Sequence, residues 1–155
     1  MTEQMQIDVE KIRVLKARYC RFVDTKQWDA FSQLLTEDIV IEFYDPSGTL
    51  QMKLEGRDEM VRQIAAYLKN AQTVHQVNHY EIELLTSTTA QAIWSVEDIL
   101  TFSDPSDAPF TVIHGYGYYH ERYEKEAQEW RIAGFRLDRL KLDTTPWPAA
   151  EHQTA

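Results

Sequence analysis

The chain has a single cysteine, Cys20, so no disulfide can form within it. One lone thiol is typical of a reducing compartment, and we therefore expect a cytoplasmic protein. No apolar run approaches the roughly 20 residues that span a bilayer. The first residues also lack the basic region and apolar core of a signal peptide. The apolar helical pattern around Cys20 favours a core position over a nucleophilic role.

Positive charge is scarce, with 16 Lys and Arg against 25 Asp and Glu and a formal net charge of −9. Nucleic acids and anionic membranes bind basic surfaces, so neither is an expected partner. Glycine and proline number five each, and no repeat or low-complexity segment breaks the chain. With 43% hydrophobic residues, the 155 positions predict one globular domain with a sizeable core. Residues 143–155 are expected to form a C-terminal tail.

The N-terminal half shows helical periodicity and one hairpin. Apolar residues recur every three or four positions from Val9 to Val23, which predicts an amphipathic helix. A short second helix over 28–35 and a third over about 56–70 follow the same pattern. Between them, residues 39–44 and 50–54 are expected to pair as strands around an Asp-Pro-Ser-Gly turn.

The C-terminal half is predicted to be strand throughout. Short connections between successive strands require antiparallel pairing, because parallel pairs need long crossovers. Three helices against a long, curved antiparallel sheet predict an α+β cone with a concave inner surface. The expected strands span 74–77, 80–85, 90–102, 110–125 and 130–142.

Asp98 interrupts an otherwise apolar strand face. From Ala90 to Phe102 the even positions are apolar, and Asp98 is the one charge among them. Ionised carboxylates are almost never fully buried unless they are paired, coordinated or neutralised. Asp98 is therefore either a candidate site residue or a structural carboxylate that pairs with a buried Arg or a backbone N–H.

Other polar residues have competing interpretations. His75 opens the first strand of the meander, and His79 lies roughly 13 Å further along an extended chain, too far for a shared metal. No metal site is predicted. Asp24 with Gln27 has the spacing of a capping box, which locally favours an N-cap. Tyr19 is more often a core aromatic than a catalytic group.

Trp94 lies on the same alternating face as Asp98 and is expected to line the concavity. The strand from Phe110 onward adds three candidate pocket residues. His114, Tyr116 and Tyr118 share one face, which we expect to line the substrate pocket. The intervening glycines lie on the other face and would accommodate a close approach of backbone.

At these positions the chain resembles the SnoaL-like branch of the nuclear-transport-factor-2-like superfamily, over about residues 8–142. Within that branch it is similar to bile acid 7α-dehydratases, and at Asp24 and His75 to scytalone dehydratases and hexachlorocyclohexane dehydrochlorinases. The matching segments are 17–19, 23–29, 73–75, 89–98, Tyr123 and 129–133.

The resemblance implies a catalytic set of Tyr19, Asp24, His75 and Asp98, with Asn78 where bile acid dehydratases have a second histidine. It implies a cofactor-independent lyase that dehydrates a hydroxylated cyclic, steroid-like or polyketide-like molecule. His75 would be the general base, oriented by Asp24 or Asp98, and Tyr19 the donor to a developing oxyanion. Asp98, held neutral by its apolar surroundings, would protonate the leaving hydroxyl.

Two alternatives remain open at this stage. An isomerase or polyketide cyclase could use the same base and oxyanion donor. A non-catalytic ligand-binding or structural subunit would need no contact between His75 and a carboxylate. The resemblance and the concave inner surface imply a small apolar or cyclic ligand. A homo-oligomeric state, trimer or dimer, is expected from Trp147 in the tail and from the uncovered face of the sheet.

Overall fold

The computed structural model describes residues 1–149, which form three helices and one six-stranded sheet. Helix α1 spans Glu3–Asp24, α2 Trp28–Ser32 and α3 Arg57–Tyr67. Thr2 caps α1, because its hydroxyl accepts a hydrogen bond from the backbone N–H of Met5 at 3.1 Å. Among the described residues, no helix has the length and apolar character needed to cross a bilayer.

The strands form one sheet in the order β2-β1-β6-β5-β4-β3. Helix α1 contacts β3 and β6, whereas α3 contacts β1 and β2, so the helices lie against opposite parts of the sheet. This arrangement confirms the predicted α+β cone of three N-terminal helices and a curved sheet. The strands are β1 Leu35–Tyr44, β2 Leu50–Glu55, β3 Ala71–Leu84, β4 Thr89–Phe102, β5 Phe110–Glu126 and β6 Glu129–Pro146.

One strand pairing departs from the expected antiparallel sheet. Strand β1 pairs with β6 in parallel, with Ile41 opposite Phe135, and the sheet is therefore mixed. The stretch of chain between these strands is long enough for the crossover that parallel pairing requires. The meander from β3 to β6 is antiparallel throughout, as predicted.

The inner face of the sheet carries the core. All even positions of β4 from Ala90 to Phe102 are buried, including Asp98, which confirms the inferred register. Opposite them, the odd positions of β5 face inward from Gly115 to Tyr123. Helix α1 covers this face with Ile12, Leu15, Tyr19 and Val23.

Several helices and strands begin or end at other residues than the sequence periodicity predicts. The two strands expected at 74–77 and 80–85 are one strand, β3, with an irregularity between Asn78 and Tyr80. His79 at this point has a φ of +34°, a backbone angle that non-glycine residues seldom adopt. Leu35 begins β1 rather than extending α2, and α3 ends at Tyr67 rather than near residue 70.

The predicted C-terminal tail begins later than expected. Strand β6 continues to Pro146, which pairs with Phe110 of β5, so residues 143–146 belong to the sheet. The indole Nε1 of Trp147 then donates to the carbonyl of Ala108 at 2.9 Å. This bond fastens the chain to the loop between β4 and β5. The remainder of the predicted tail, 150–155, lies outside the described residues.

Candidate functional site

Asp24 and His75 form a hydrogen-bonded pair between the end of α1 and the edge strand β3. Asp24 Oδ1 lies 2.6 Å from His75 Nδ1 and accepts a bond from the Thr73 hydroxyl at 2.8 Å. Asp24 Oδ2 accepts the backbone N–H of His75 at 2.9 Å. The N-cap interpretation of Asp24 is therefore wrong. The donors of β3 occupy the carboxylate, and α2 begins after Gln27 without a side-chain cap.

The partner of His75 Nδ1 selects the tautomer of the ring. An ionised carboxylate can only accept hydrogen bonds, so Nδ1 carries the proton and Nε2 presents its lone pair. Nε2 lies 3.9 Å from Asp98 Oδ2, beyond hydrogen-bond distance. The His75 side chain is 11% exposed, so a small part of it is accessible to solvent. This geometry suits a general base oriented by a carboxylate.

Asp98 is buried and paired with Arg139 of β6. The guanidinium binds both carboxylate oxygens, at 2.5 and 2.8 Å, and the Asp98 side chain is 3% exposed. Burial works to lower the pKa of Arg139, but the hydrogen bonds and charge of Asp98 raise it above its usual value. Gly115 makes this pair possible, because a Cβ there would clash with both partners. The sequence left two roles open for Asp98, a site residue or a structural carboxylate. A buried arginine partner is what the structural role predicted.

Arg139 was not among the candidates inferred from the sequence, although a pattern pointed to it. Phe135 and Leu137 of β6 are buried, whereas Arg136 between them is exposed. Continuing this alternation by two positions places Arg139 on the inner face. The next residue, Leu140, is 66% exposed at the irregularity between β5 and β6, which obscures the pattern beyond that point.

Tyr19 lies on the inner side of α1 among aromatic rings rather than in the His75–Asp24 pair. Its ring centroid is 5.2 Å from that of Phe31 and 6.0 Å from that of Phe135. Burial raises the pKa of Tyr19 well above its usual 10, and the nearby carboxylates of Glu121 and Asp98 add to the shift. The phenol therefore stays protonated and can donate a hydrogen bond. The structure thus brings His75, Asp24 and Asp98 together and leaves Tyr19 within electrostatic range.

A second buried polar network lies on the same inner face and was missed by the sequence interpretation. The fully buried Lys16 donates to Glu121, and its Nζ lies 3.6 Å from the ring centroid of Tyr119. Tyr123 donates to the other oxygen of Glu121 and accepts the indole N–H of Trp94 at 2.8 Å. Trp94 therefore faces inward, as predicted, but it is held in a core network rather than in an open pocket. A lysine next to the apolar face of a helix usually lies at the edge of that face, with its ammonium in solvent, so the sequence does not indicate that Lys16 is buried.

The predicted pocket residues of β5 lie on the wrong face of the sheet. Because Gly115 pairs opposite Asp98, its neighbours His114, Tyr116 and Tyr118 face outward. His114 Nε2 lies 2.7 Å from a Glu97 carboxylate oxygen, and its ring stacks on Tyr116. These three residues do not reach the interior, and their assignment to the pocket is corrected.

An open cleft of about 500 Å³ between α1 and β3 gives access to His75. Asn78 faces outward, opposite Ser95, but it contributes to the wall of this cleft. Cys20 also borders it, and burial raises the pKa of its thiol to about 11, so the thiolate is scarce at neutral pH. Other wall residues are Ala17, Arg21, Asp24 and Gln76.

No group of three or more His, Cys, Asp or Glu side chains within residues 1–149 could hold a metal ion. Of the candidate catalytic residues, His75 and Asp24 line the cleft, whereas Asp98 and Tyr19 are not among its wall residues.

Comparison with known proteins identifies the relatives of this chain. A Gibberella zeae protein that bears the name probable cyclase is 29% identical over 133 residues, covering 81% of this chain and 86% of its own. A Novosphingobium aromaticivorans protein proposed to be a scytalone dehydratase has a TM-score of 0.78 at 19% identity, covering 97% of this chain and all of its own.

A hexachlorocyclohexane dehydrochlorinase of Novosphingobium barchaimii has a TM-score of 0.72 at 13% identity, covering 98% of this chain and 97% of its own. At such identities the two structural likenesses show the fold alone. The model of the SnoaL-like domain matches residues 5–136, most of the chain. The chain therefore belongs to the SnoaL-like domain family.

Proposed function

We propose that this protein is a cofactor-independent lyase of the dehydratase type, with His75 as its general base. The observation that carries the proposal is the bond between Asp24 and His75 Nδ1, which leaves the lone pair on Nε2 of a ring that lines an open cleft. The substrate class that suits this base is a hydroxylated cyclic molecule, steroid-like or polyketide-like, with a carbonyl next to an acidic C–H. A binding or structural subunit would have no need of such a contact.

The reaction begins with proton transfer to His75. Nε2 takes the proton from the carbon next to the carbonyl, and the C–H electron pair moves toward the carbonyl oxygen as an enolate. The Asp24 carboxylate stabilises the imidazolium that forms and holds the ring in position. A positioned base of this kind contributes about 10²–10⁴-fold to the rate.

Two further groups support the charged intermediate. The Tyr19 hydroxyl, kept protonated by its raised pKa, is the proposed donor to the enolate oxygen. Asp98 Oδ2 lies 3.9 Å from Nε2 and adds negative charge on that side of the imidazolium, although this charge is shared with Arg139.

Arg139 changes the role assigned to Asp98. Both Asp98 oxygens accept hydrogen bonds from the guanidinium, so the carboxylate is not a proton donor in this arrangement. The imidazolium of His75 is then the acid. The enolate electrons form the new C=C bond, the C–O bond to the leaving hydroxyl breaks, and the Nε2 proton leaves with it as water.

An isomerase or cyclase is the second candidate, favoured by the similarity to the Gibberella zeae protein. Either reaction begins with the same enolate. In an isomerase the proton returns at another carbon, and in a cyclase the enolate carbon attacks a second carbonyl of the substrate. Neither needs a leaving hydroxyl.

Mass spectrometry of products distinguishes these reactions. We would incubate a panel of cyclic β-hydroxy ketones, steroidal and aromatic polyketide-like, each in neutral and in carboxylated form, with the native protein, His75→Ala and His114→Ala. His114 is a matched control because it is a histidine on the outer face. The proposal expects loss of one water with native protein and His114→Ala, and none with His75→Ala.

Products of unchanged mass would show an isomerase or a cyclase instead. Conversion that survives in His75→Ala, or no conversion of any panel member, would overturn the lyase proposal.

A further inference from the structure

Arg21, a cation without an ion pair within residues 1–149, lines the cleft, although the chain is strongly acidic. Ten of the 16 lysines and arginines form ion pairs within residues 1–149, which leaves six. Three of those six are Arg21, Lys26 and Lys69, here called the basic rim. Arg21 lines the cleft, and Lys26 and Lys69 follow the C-terminal ends of α1 and α3.

The position of each rim residue follows from α1, the turn after it and the end of α3. Arg21 forms part of the cleft wall, with its guanidinium 4.6 Å from the ring centroid of Phe22. Lys26 follows the wall residue Thr25, and its Nζ donates to the carbonyl of Lys69 at 3.2 Å. This bond places the Lys26 ammonium beside the backbone of Lys69, just past the C-terminal end of α3.

Helix electrostatics favour these positions but supply no counter-charge. A cation near the C-terminal end of a helix is favourable because it interacts with that end of the helix dipole. Arg21 occupies the last turn of α1, and Lys26 and Lys69 lie just past the ends of α1 and α3. None of the three pairs with a carboxylate within residues 1–149, so an anionic group of a bound molecule would supply that partner.

We infer that the natural substrate carries an anionic group, a carboxylate or a phosphate, that binds at the basic rim while its cyclic part lies over His75. Arg21 and His75 both line this cleft, which suits a molecule with its reacting carbon and its anion on separate parts. This inference rests on the proposed function only in taking the cleft over His75 as the substrate site.

Three naphthalene probes test the inference by binding alone. 1-Naphthol is neutral, 1-naphthoate carries a carboxylate and 1-naphthyl phosphate carries a phosphate, on the same ring system. Their Kd values would be measured by fluorescence for native protein, Arg21→Gln and Lys11→Gln. Lys11 is the matched control, because it is also an unpaired cation of α1 but lies about 15 Å along the helix axis from Arg21. Ala17→Leu, which fills part of the cleft, reports whether the probes bind there.

The inference expects at least one anionic probe to bind about fivefold tighter than 1-naphthol at low salt. That preference should fall as salt rises, disappear in Arg21→Gln and persist in Lys11→Gln. Ala17→Leu should weaken binding of the preferred probe. Preference for 1-naphthoate would identify a carboxylate substrate, and preference for the phosphate a phosphorylated one.

Equal affinity for all three probes, binding of none of them, or a preference that Arg21→Gln leaves intact would overturn the inference. None of these results depends on turnover. A protein that prefers anions through Arg21 but eliminates no water would contradict the proposed lyase and leave the anion site standing.

Discussion

The guanidinium of Arg139 binds both oxygens of the Asp98 carboxylate on the inner face of the sheet, at 2.5 and 2.8 Å. Both side chains are largely withdrawn from water, at 13% and 3% exposure. The charge that stands out in the sequence of β4 is therefore one half of a buried ion pair, and its partner comes from β6.

Asp98→Asn should destabilise the fold, because it leaves the Arg139 guanidinium buried opposite a neutral amide. Breaking one partner of a buried pair typically costs about 3–5 kcal/mol of the free energy of unfolding. The double variant Asp98→Leu with Arg139→Met removes both charges and should recover a large part of that loss. Urea unfolding of the three proteins measures this. Equal stability of Asp98→Asn and native protein would show that the pair contributes little.

Cys20 should react slowly with thiol reagents in the native protein. Burial raises the pKa of its thiol to about 11, from 9.0 for a free thiol, so the reactive thiolate is about a hundredfold scarcer at pH 8. Labelling with a chromogenic disulfide at pH 8 should be slow, and should become fast as pH approaches 11 or after unfolding in urea. Rapid labelling of the folded protein at pH 8 would contradict the burial of this side chain.

Much of this fold follows from patterns that lie within one element. The alternation from Ala90 to Phe102 is enough to place Asp98 inward, because side chains on a strand alternate strictly between faces. Pairing between elements that are distant in sequence could not be predicted in this way. The parallel contact of β1 with β6 and the irregularity at His79 depend on packing that neither segment shows by itself.

The candidate site divides in the same way. His75 and Asp98 were recognisable, whereas Asp24 looked like a helix cap because its partner lies 51 positions away on β3. His114 was assigned to the wrong face of the sheet. The alternation within β5 separates odd from even positions but does not show which set lies on the same face as Asp98. That choice is made by the register with β4, where Gly115 lies opposite Asp98. Lys16 was not recognised as a buried residue because the carboxylate that pairs with its charge, Glu121, lies on another element.

Asp24→Asn should change the tautomer of His75. The native carboxylate accepts the Nδ1 proton, whereas an asparagine can present its NH₂ group to Nδ1 and favour the proton on Nε2. Nitrogen-15 NMR of the imidazole at neutral pH should show Nδ1–H in the native protein and a larger Nε2–H population in the variant. Asp29→Asn, an exposed aspartate of α2, is the control and should leave the spectrum unchanged. An Nε2–H ring in the native protein would contradict the assigned hydrogen bond.

The protein is also expected to be a homo-oligomer, a trimer or dimer. The outer face of the sheet exposes large side chains, among them Tyr118 at 41%, and the helices do not cover it. Sedimentation at micromolar concentration should give two or three times the 18.2 kDa of one chain. Tyr118→Glu should shift that distribution toward the single chain if this face forms the interface. A native species of one chain mass would exclude the oligomer.

Exchange of a substrate proton with solvent tests the role of His75 most directly. A cyclic ketone that binds the cleft but lacks a leaving hydroxyl can be deprotonated without elimination, so its acidic C–H should take up deuterium in D₂O. We expect enzyme-catalysed uptake with native protein and with His114→Ala. His75→Ala should lose it, while its affinity for the ketone stays within about tenfold of native, because a base acts mainly in the transition state. Exchange that continues at the native rate in His75→Ala would contradict the assignment of His75 as the base.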